Sequence, residues 1–206
     1  MVIPLRIGQA DDKYPQALSR FLENRIPKYI FALGNLDLLR SETVALFCSV
    51  KCPGNLILKT YDLARQLRDA GTAVISGFHS PMEKECLSLL LRGEQPIIWC
   101  PAKRLTSMRL PKECADALSK SRLLMLSPFG ERIKRADKDT ARIRNEFVAA
   151  LATRVFVAHA SSGGKTESFC QKVLGWRKPI MTFEDPHNIP LLNLGAEYCP
   201  ALKEKR

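Results

Sequence analysis

The chain has 206 residues, of which 46% are hydrophobic and 26% are charged. These values are typical of a soluble globular domain that is large enough to bury a core. No apolar run is long enough to cross a membrane and the N-terminus has no signal-peptide pattern, so we expect a cytoplasmic protein with no membrane partner.

The net charge of +11 is the most informative global property. A basic chain of this size is biased toward polyanions such as nucleic acids. Basic side chains are concentrated at residues 132–144 and again at 103–112. A run of charge is most often only a solvated face, so the sequence favours a nucleic-acid partner without establishing one.

Seven cysteines are scattered along the chain. An odd, scattered set is not a secreted disulfide framework, and we interpret these residues as reduced and mostly buried. Cys48 and Cys52 are close in sequence, but no second Cys/His pair completes a zinc set. We therefore predict no metal site and no cofactor.

Residues 1–40 are interpreted as an N-terminal accessory helical segment. A short amphipathic helix is predicted after Tyr14, and Pro27 ends it. An apolar run at residues 29–33 follows and stops at Gly34. We expect this segment to pack on the main domain, which we assign to residues 41–206.

From Thr43 onward, short apolar runs alternate with helical patterns. The runs read as buried strands at residues 44–48, 73–75, 96–100, 123–126, 155–158 and 179–182. Alternating strands and helices predict an α/β, Rossmann-like fold with a mostly parallel sheet and helices on both faces. We expect the strand at residues 155–158 to lie in the interior of the sheet.

The strand at residues 155–158 leads into a polar, glycine-containing turn. Ser161, Ser162, Gly163 and Gly164 form the turn, and a helical pattern starts at Lys165. The unpaired amides of a helix N-terminus favour anions, and a lysine adds positive charge. The spacing matches neither a Walker phosphate loop nor a dinucleotide fingerprint, so it suggests phosphate without identifying a ligand. An ordinary strand-to-helix turn is the alternative.

Three loops are predicted to meet at one edge of the sheet. They span residues 49–55, 76–83 and 159–166, and each contains glycine and a small hydroxyl residue. Ligands of open α/β sheets bind beyond the carboxyl ends of the strands, where the strand order reverses. Arg142 and Arg144, at the start of the preceding helix, are expected at the same rim.

Several segments resemble a known family. The string Ser-Gly-Phe-His-Ser-Pro-Met-Glu at 76–83 resembles the Ser-Gly-x-Ala-x-Gly-Ile-Asp segment of the DNA-processing protein A family (DprA, also called Smf). Residues 144–151 resemble its Arg-Asn-Arg-Ile-Ile-Ala-Gly-Leu, and residues 155–166 are similar to its strand and Ser-Gly loop. The resemblance runs from about Tyr14 to about Ala196. It departs at Cys48-Ser49-Val50, where the family has Gly-Ser-Arg, and at Glu146, where it has a second arginine.

The resemblance implies a compact, single-domain member of the SLOG superfamily. It further implies a basic pocket that binds single-stranded DNA, a homodimer, and a RecA-type recombinase as a partner. The family positions, together with three residues added from the loop and the rim, give these candidates for binding nucleic acid or phosphate: Ser49, Lys51, Ser76, Gly77, Arg142, Arg144, Asn145, Ser162, Gly163, Gly164, Lys165 and Thr166. Phe78 is a further candidate for stacking on bases, although a structural role is the favoured interpretation.

A nucleotide-binding sensor or nucleotide-processing enzyme of the SLOG type is the alternative. Cytokinin-activating phosphoribohydrolases carry Pro-Gly-Gly-x-Gly-Thr-x-x-Glu in the loop that is similar to residues 161–169 here. Phe169 stands where their catalytic glutamate would be. The remaining candidate acids and bases are Glu83, Glu167, His79 and His159. Because no complete catalytic set is present, we expect a DNA-binding protein rather than an enzyme, and we assign no catalytic residue.

Overall fold

The computed structural model describes residues 3–106 and 108–199, and its strands form one sheet. The strands are β1 (Leu5–Gly8), β2 (Tyr29–Gly34), β3 (Thr43–Phe47), β4 (Ala73–Ser76), β5 (Ile97–Trp99), β6 (Leu123–Ser127), β7 (Arg154–Val157), β8 (Ile180–Thr182) and β9 (Glu197–Tyr198). Their order is β1-β2-β6-β5-β4-β3-β7-β8-β9. All neighbours from β6 to β9 pair in parallel, whereas β1–β2 and β2–β6 pair antiparallel.

Helices follow most of the strands. They are α1 (Gln16–Leu22), α2 (Gly54–Asp69), α3 (Pro81–Leu91), α4 (Lys112–Ser119), α5 (Lys138–Leu151), α6 (Lys165–Gly175) and α7 (Ile189–Asn193), with 3-10 turns at Glu23–Arg25, Leu36–Arg40 and Pro186–Asn188. Local sequence sets several boundaries. Ser80 and Glu83 form a capping box at the start of α3, and Asp137 and Thr140 form one at the start of α5.

Successive side chains of each strand point to opposite faces of the sheet. In β3, Val44 and Leu46 pack with α2, α3 and α4, whereas Ala45 and Phe47 pack with α1, α5 and α6. Each face is therefore covered by helices. The prediction of a Rossmann-like, mostly parallel sheet with helices on both faces is confirmed.

The strand order reverses at β3. From β3 the chain proceeds through β4 and β5 to β6 on one side, and then returns to place β7 on the other side of β3. β7 lies between β3 and β8, so its predicted interior position is confirmed. The crevice beyond the carboxyl ends of β3 and β7 is the place where sheets of this kind bind ligands.

The N-terminal segment contributes strands as well as a helix. α1 lies where a helix was predicted, but β1 and β2 extend the sheet antiparallel to β6, which the sequence interpretation did not anticipate. The division of the chain at residue 40 stays a prediction, and residues 1, 2, 107 and 200–206 of the two assigned segments lie outside the described residues. Within the described part of the chain, no helix has the length and apolarity needed to span a bilayer.

Candidate nucleic-acid interface

The loops that follow β3 and β7 are joined by two hydrogen bonds. The Ser49 amide donates a hydrogen bond to the His159 carbonyl at 2.9 Å, and the Ser161 amide donates to Ser49 Oγ at 3.2 Å. Two of the three predicted loops therefore lie side by side at the switch in strand order. Ser49, a predicted ligand contact, uses its hydroxyl to hold these loops together.

The N-terminus of α6 opens at the same edge. The helix starts at Lys165 after Gly164, which supplies no side-chain cap. Gly163 has a φ of +67° and donates its amide to Glu167 Oε2 at 2.8 Å, so glycine is the residue that suits this turn. Ser162 and Lys165 are exposed beside it. The free helical amides and the lysine favour an anion at this point.

A groove with a volume of about 660 Å³ runs between the first turns of α5 and α6. Cations line it from both helices, together with two carboxylates: Lys138, Arg142, Lys165 and Lys172 face Asp139 and Glu146. Asn145 and Thr166 also lie on its wall. Cavities of about 310 and 450 Å³ lie at other edges, near Thr72 and near Leu36. Of these cavities, the groove between α5 and α6 has the charge that suits a polyanion.

The Glu146 side chain forms ion pairs with three cations at this groove. Its carboxylate is 7% exposed and accepts Arg25 Nη1 at 2.7 Å, Lys172 Nζ at 2.8 Å and Arg142 Nη1 at 3.2 Å. These partners come from the 3-10 turn after α1, from α6 and from α5. The sequence analysis noted Glu146 only as a departure from the family pattern. Its i,i+4 spacing from Arg142 could have indicated an ion pair between the two side chains.

Arg144 lies beneath the surface. The residue is 4% exposed, and its guanidinium donates to the Cys100 carbonyl at 3.4 Å and to Asn145 Oδ1 at 2.8 Å. Burial lowers the pKa of Arg144, and the Glu83 carboxylate opposes this effect. A Cβ at Gly77 would overlap the guanidinium, so any side chain there would displace Arg144 from this position. Arg144 is therefore placed to support the rim from below, and direct contact with a ligand stays a prediction for it.

The second predicted loop is largely interior. Ser76 is fully buried, donates its hydroxyl to the Leu46 carbonyl at 2.7 Å and accepts the Phe78 amide at 3.4 Å. Gly77 is buried and accepts the Trp99 indole N–H at 3.1 Å. Ser76 and Gly77 thus do not line the groove in this structure. The suggested stacking of Phe78 on bases is wrong, because its ring is 2% exposed and lies in the core.

A sequence profile of the family described as DNA recombination-mediator protein A matches residues 6–188. The chain belongs to this family. The structure is similar to DNA processing protein A from Streptococcus pneumoniae, with a TM-score of 0.76 and 21% identity over 95% of this chain and 71% of that one. It is also similar to the Helicobacter pylori protein, for which a single-stranded DNA binding mode has been described; the TM-score is 0.70 and the identity 19%, over 90% of this chain and 82% of that one.

Proteins outside the DNA-processing relatives share the fold. The molybdenum cofactor binding protein from Rippkaea orientalis matches with a TM-score of 0.55 and 12% identity, over 79% of this chain and 91% of that one. No curated protein sequence matches the chain. At these identities the structural likenesses establish a shared Rossmann-like fold, and the sequence profile establishes the family.

The carboxylates considered for catalysis in this family member have structural partners. Glu83 is 6% exposed, and its Oε2 accepts the amides of His79 at 2.8 Å and Ser80 at 3.2 Å. Glu167 accepts the Gly163 amide. Phe169 lies on the groove wall, with its ring centroid 4.7 Å from that of Phe47. These contacts stabilise helix starts and the core.

A second carboxylate cluster, missed by the sequence interpretation, lies beyond β8. Buried Asp185 accepts Asn55 Nδ2 at 2.8 Å and Lys59 Nζ at 3.1 Å through Oδ2, and its Oδ1 lies 2.8 Å from His187 Nδ1. Hydrogen bonding to His187, assisted by Lys59, lowers the pKa of Asp185 to about 2. Next to it, His159 Nδ1 lies 3.2 Å from Asn188 Oδ1. The cluster fixes the loop after β8 to the start of α2. The one local feature of the sequence that could have indicated this cluster is the turn at Asp185-Pro186.

Proposed function

We propose that this protein binds single-stranded DNA through the groove between α5 and α6. The observation that carries the proposal is the meeting of a cation-lined groove with the uncapped N-terminus of α6 at the carboxyl edge of the sheet. Membership of the DNA recombination-mediator protein A family and the binding mode described for the Helicobacter pylori relative support it.

Affinity in this proposal comes from phosphate contacts. Lys165 and the first amides of α6 hold one phosphate, and Arg142 with Lys172 hold a neighbouring one across the groove. Each neutralised phosphate releases condensed counterions, so binding weakens as salt rises. Buried Arg144 adds positive potential from below, while Ser49 and Gly77 keep the loops in place.

The biological role we propose is DNA processing within the cytoplasm, with a homodimer as the active unit and a RecA-type recombinase as its partner. Binding rather than catalysis is supported by the contacts of the candidate carboxylates. Glu83 and Glu167 stabilise helix starts through backbone amides, which suits a structural role better than proton transfer.

The test measures affinity for a labelled single-stranded oligonucleotide at several salt concentrations. Lys165→Ala and Arg142→Ala should each weaken binding for every sequence alike and reduce the slope of log affinity against log salt by roughly 0.7. Arg144→Ala should change the slope less, because its guanidinium is buried. Lys120→Ala, at an exposed lysine directly after α4, is the matched control and should leave the slope unchanged.

Two results would overturn the proposal. One is an unchanged slope in both groove variants. The other is tight binding of a mononucleotide with weak, salt-insensitive binding of single strands, which would favour the nucleotide-binding alternative. Competition between the oligonucleotide and mononucleotides in one titration separates these outcomes.

A further inference from the structure

Two stretches of basic residues take no part in the groove between α5 and α6. They span residues 103–112, in the connection from β5 into α4, and residues 131–135, in the loop from β6 to α5. Together they carry seven cations and one carboxylate, that of Glu131. A helix and a strand separate the two stretches along the chain, so only the tertiary structure decides whether they form one surface.

The structure joins the two stretches. The Arg104 amide donates to the Ile133 carbonyl at 2.8 Å, and the Arg104 guanidinium donates to Glu131 Oε2 at 2.9 Å and to the Glu131 carbonyl at 3.2 Å. The Thr106 hydroxyl donates to the other carboxylate oxygen of Glu131. We call the joined surface the basic ridge, and it consists of residues 103–106, 108–112 and 131–135.

Most cations of the basic ridge are unpaired. Glu131 is occupied by Arg104, whose side chain is 25% exposed and holds the two loops together. Six other cations form no ion pair with any residue that the structure describes, and all except the first are exposed: Lys103, Arg109, Lys112, Arg132, Lys134 and Arg135. Of the acidic residues next in sequence, Glu113 and Asp137, the second accepts the Thr140 amide at the start of α5. Because like charges repel one another, a polyanion that neutralises the ridge relieves this repulsion.

The basic ridge adjoins the groove at one edge of the sheet. β5 and β6 belong to the parallel set that includes β3 and β7, so the loops after all four strands leave from the same edge. Ser127, at the end of β6, donates its hydroxyl to the Lys103 carbonyl at 2.8 Å and fixes the ridge there. Arg135 lies three residues before Lys138, which lines the groove. Three residues span at most about 11 Å, about the length of three stacked nucleotides.

We propose that the basic ridge is a second phosphate-contact surface, over which a single strand held in the groove between α5 and α6 continues; this inference rests on the proposed function. The joining of two separate groups of cations, and their continuity with the groove at Lys138, carry it. The ridge has no aromatic residue, so its contacts go to backbone phosphates and add affinity without sequence preference. The ridge thereby sets the length of strand that the protein covers.

Oligonucleotide length separates the ridge from the groove. The variant Lys134→Ala/Arg135→Ala removes two exposed cations from a loop, and its affinity for labelled single strands of about 4 and about 16 nucleotides, the range of site sizes in single-strand-binding folds, is measured at several salt concentrations. For the longer strand we expect a loss of about tenfold at low salt and a salt slope smaller by roughly 1.4, which is 0.7 for each lost phosphate contact. The shorter strand fits in the groove and should keep its affinity.

The matched control is Arg40→Ala/Lys120→Ala. These residues precede β3 and β6, so the control removes the same charge at the opposite edge of the sheet. It should leave the affinity for both strands at the level of the parent chain. The reversal Lys134→Glu/Arg135→Glu should weaken binding of the longer strand further than the alanine variant does, because the new carboxylates repel phosphates.

Three results would contradict these expectations. If Lys165→Ala weakens binding while the ridge variant binds the longer strand like the parent chain, the ridge inference alone is refuted. An equal loss for the short and the long strand in the ridge variant also overturns it, because the ridge would then be the primary site. Unchanged binding in Lys165→Ala and Arg142→Ala, with a loss in the ridge variant, refutes the proposed function instead, since the groove would then hold no strand.

Discussion

Two buried carboxylates, Glu146 and Asp185, differ in the partners that surround them. Among the described residues, the partners of Glu146, in the groove between α5 and α6, are side-chain cations: Arg25, Arg142 and Lys172. Asp185, beyond β8, accepts hydrogen bonds from one lysine, Lys59, from the Asn55 side-chain amide and from the backbone amide of His187, and it also contacts the His187 ring. The side chains of the two carboxylates are 7% and 5% exposed.

The difference in partners indicates a difference in role. The cations around Glu146 outnumber it, so the cluster keeps a net positive charge in an open groove. Under the proposed function, the carboxylate would limit how strongly those cations attract phosphate. Asp185 pairs with a single lysine and joins the loop after β8 to the start of α2, so its cluster contributes mainly to stability. Buried carboxylates can thus tune a binding surface or fix a fold, depending on their donors.

The largest effect is expected for Asp185→Asn. Loss of the charge-assisted hydrogen bonds should lower the free energy of unfolding at pH 7 by about 2 kcal/mol. Because the folded-state pKa is lowered from 3.8 to about 2, this stabilisation is complete above about pH 4 and is lost as the pH falls toward 2. Urea unfolding of both proteins between pH 7 and pH 3 measures the difference.

The control for this variant is Asp62→Asn. Asp62 is 66% exposed and pairs only with Arg65 among the ion pairs of the described residues, so its replacement should cost less than about 0.5 kcal/mol. A loss for Asp185→Asn that stays constant down to pH 3 would mean that charge is not the source of its stabilisation.

The next effect is expected for Glu146→Gln. The amide keeps the shape of the side chain but frees Arg25, Arg142 and Lys172 from a full negative charge. Affinity for single-stranded DNA should rise by about tenfold at low salt, and the salt slope should steepen by roughly 0.7 for each cation that gains a phosphate. Fluorescence anisotropy against salt checks both. If the variant binds single-stranded DNA more weakly while its unfolding curve is unchanged, Glu146 strengthens DNA binding rather than weakening it.

The smallest effect is expected for His187→Ala. Its imidazole is 56% exposed, so losing the contact with Asp185 should destabilise the fold by only about 0.5 kcal/mol. The more sensitive readout is the pKa of Asp185, which should move upward because its largest stabilising hydrogen bond is lost. NMR titration of the Asp185 carboxyl measures this. His79→Ala, at an exposed site, is the control, and equal pKa values in the two variants would argue against the His187 contact.

The central part of the fold could be predicted because its signals are local. The strands β3 to β8 are short apolar runs between helical patterns, and a run buried on both faces is typical of a parallel sheet. Pro81 is the first residue of α3, and Gly71 follows the end of α2, as the capping rules predict. β1 and β2 were not predicted, since the four residues of β1 carry only one fully buried side chain. Their pairing with β6 depends on a partner distant in sequence.

The structure brings together some of the predicted site residues and separates others. Arg142, Asn145, Lys165 and Thr166 line one groove. The sequence could not show that Arg144 is buried, because its pocket depends on Gly77 and on the Cys100 carbonyl from separate strands. Adjacent helix positions face different surroundings once α5 packs on the sheet.

The sequence by itself determined the family, the α/β class, the interior strand β7 and the edge of the sheet at which the loops meet. These follow from hydrophobic periodicity, turn residues and motif order, all of which act over a few neighbouring residues. Only the tertiary structure decided the strand order, the burial of Arg144 and Ser76, and the partners of Glu146 and Asp185. Those features depend on side chains far apart along the chain, where packing and local charge decide which groups meet and which remain open to a ligand.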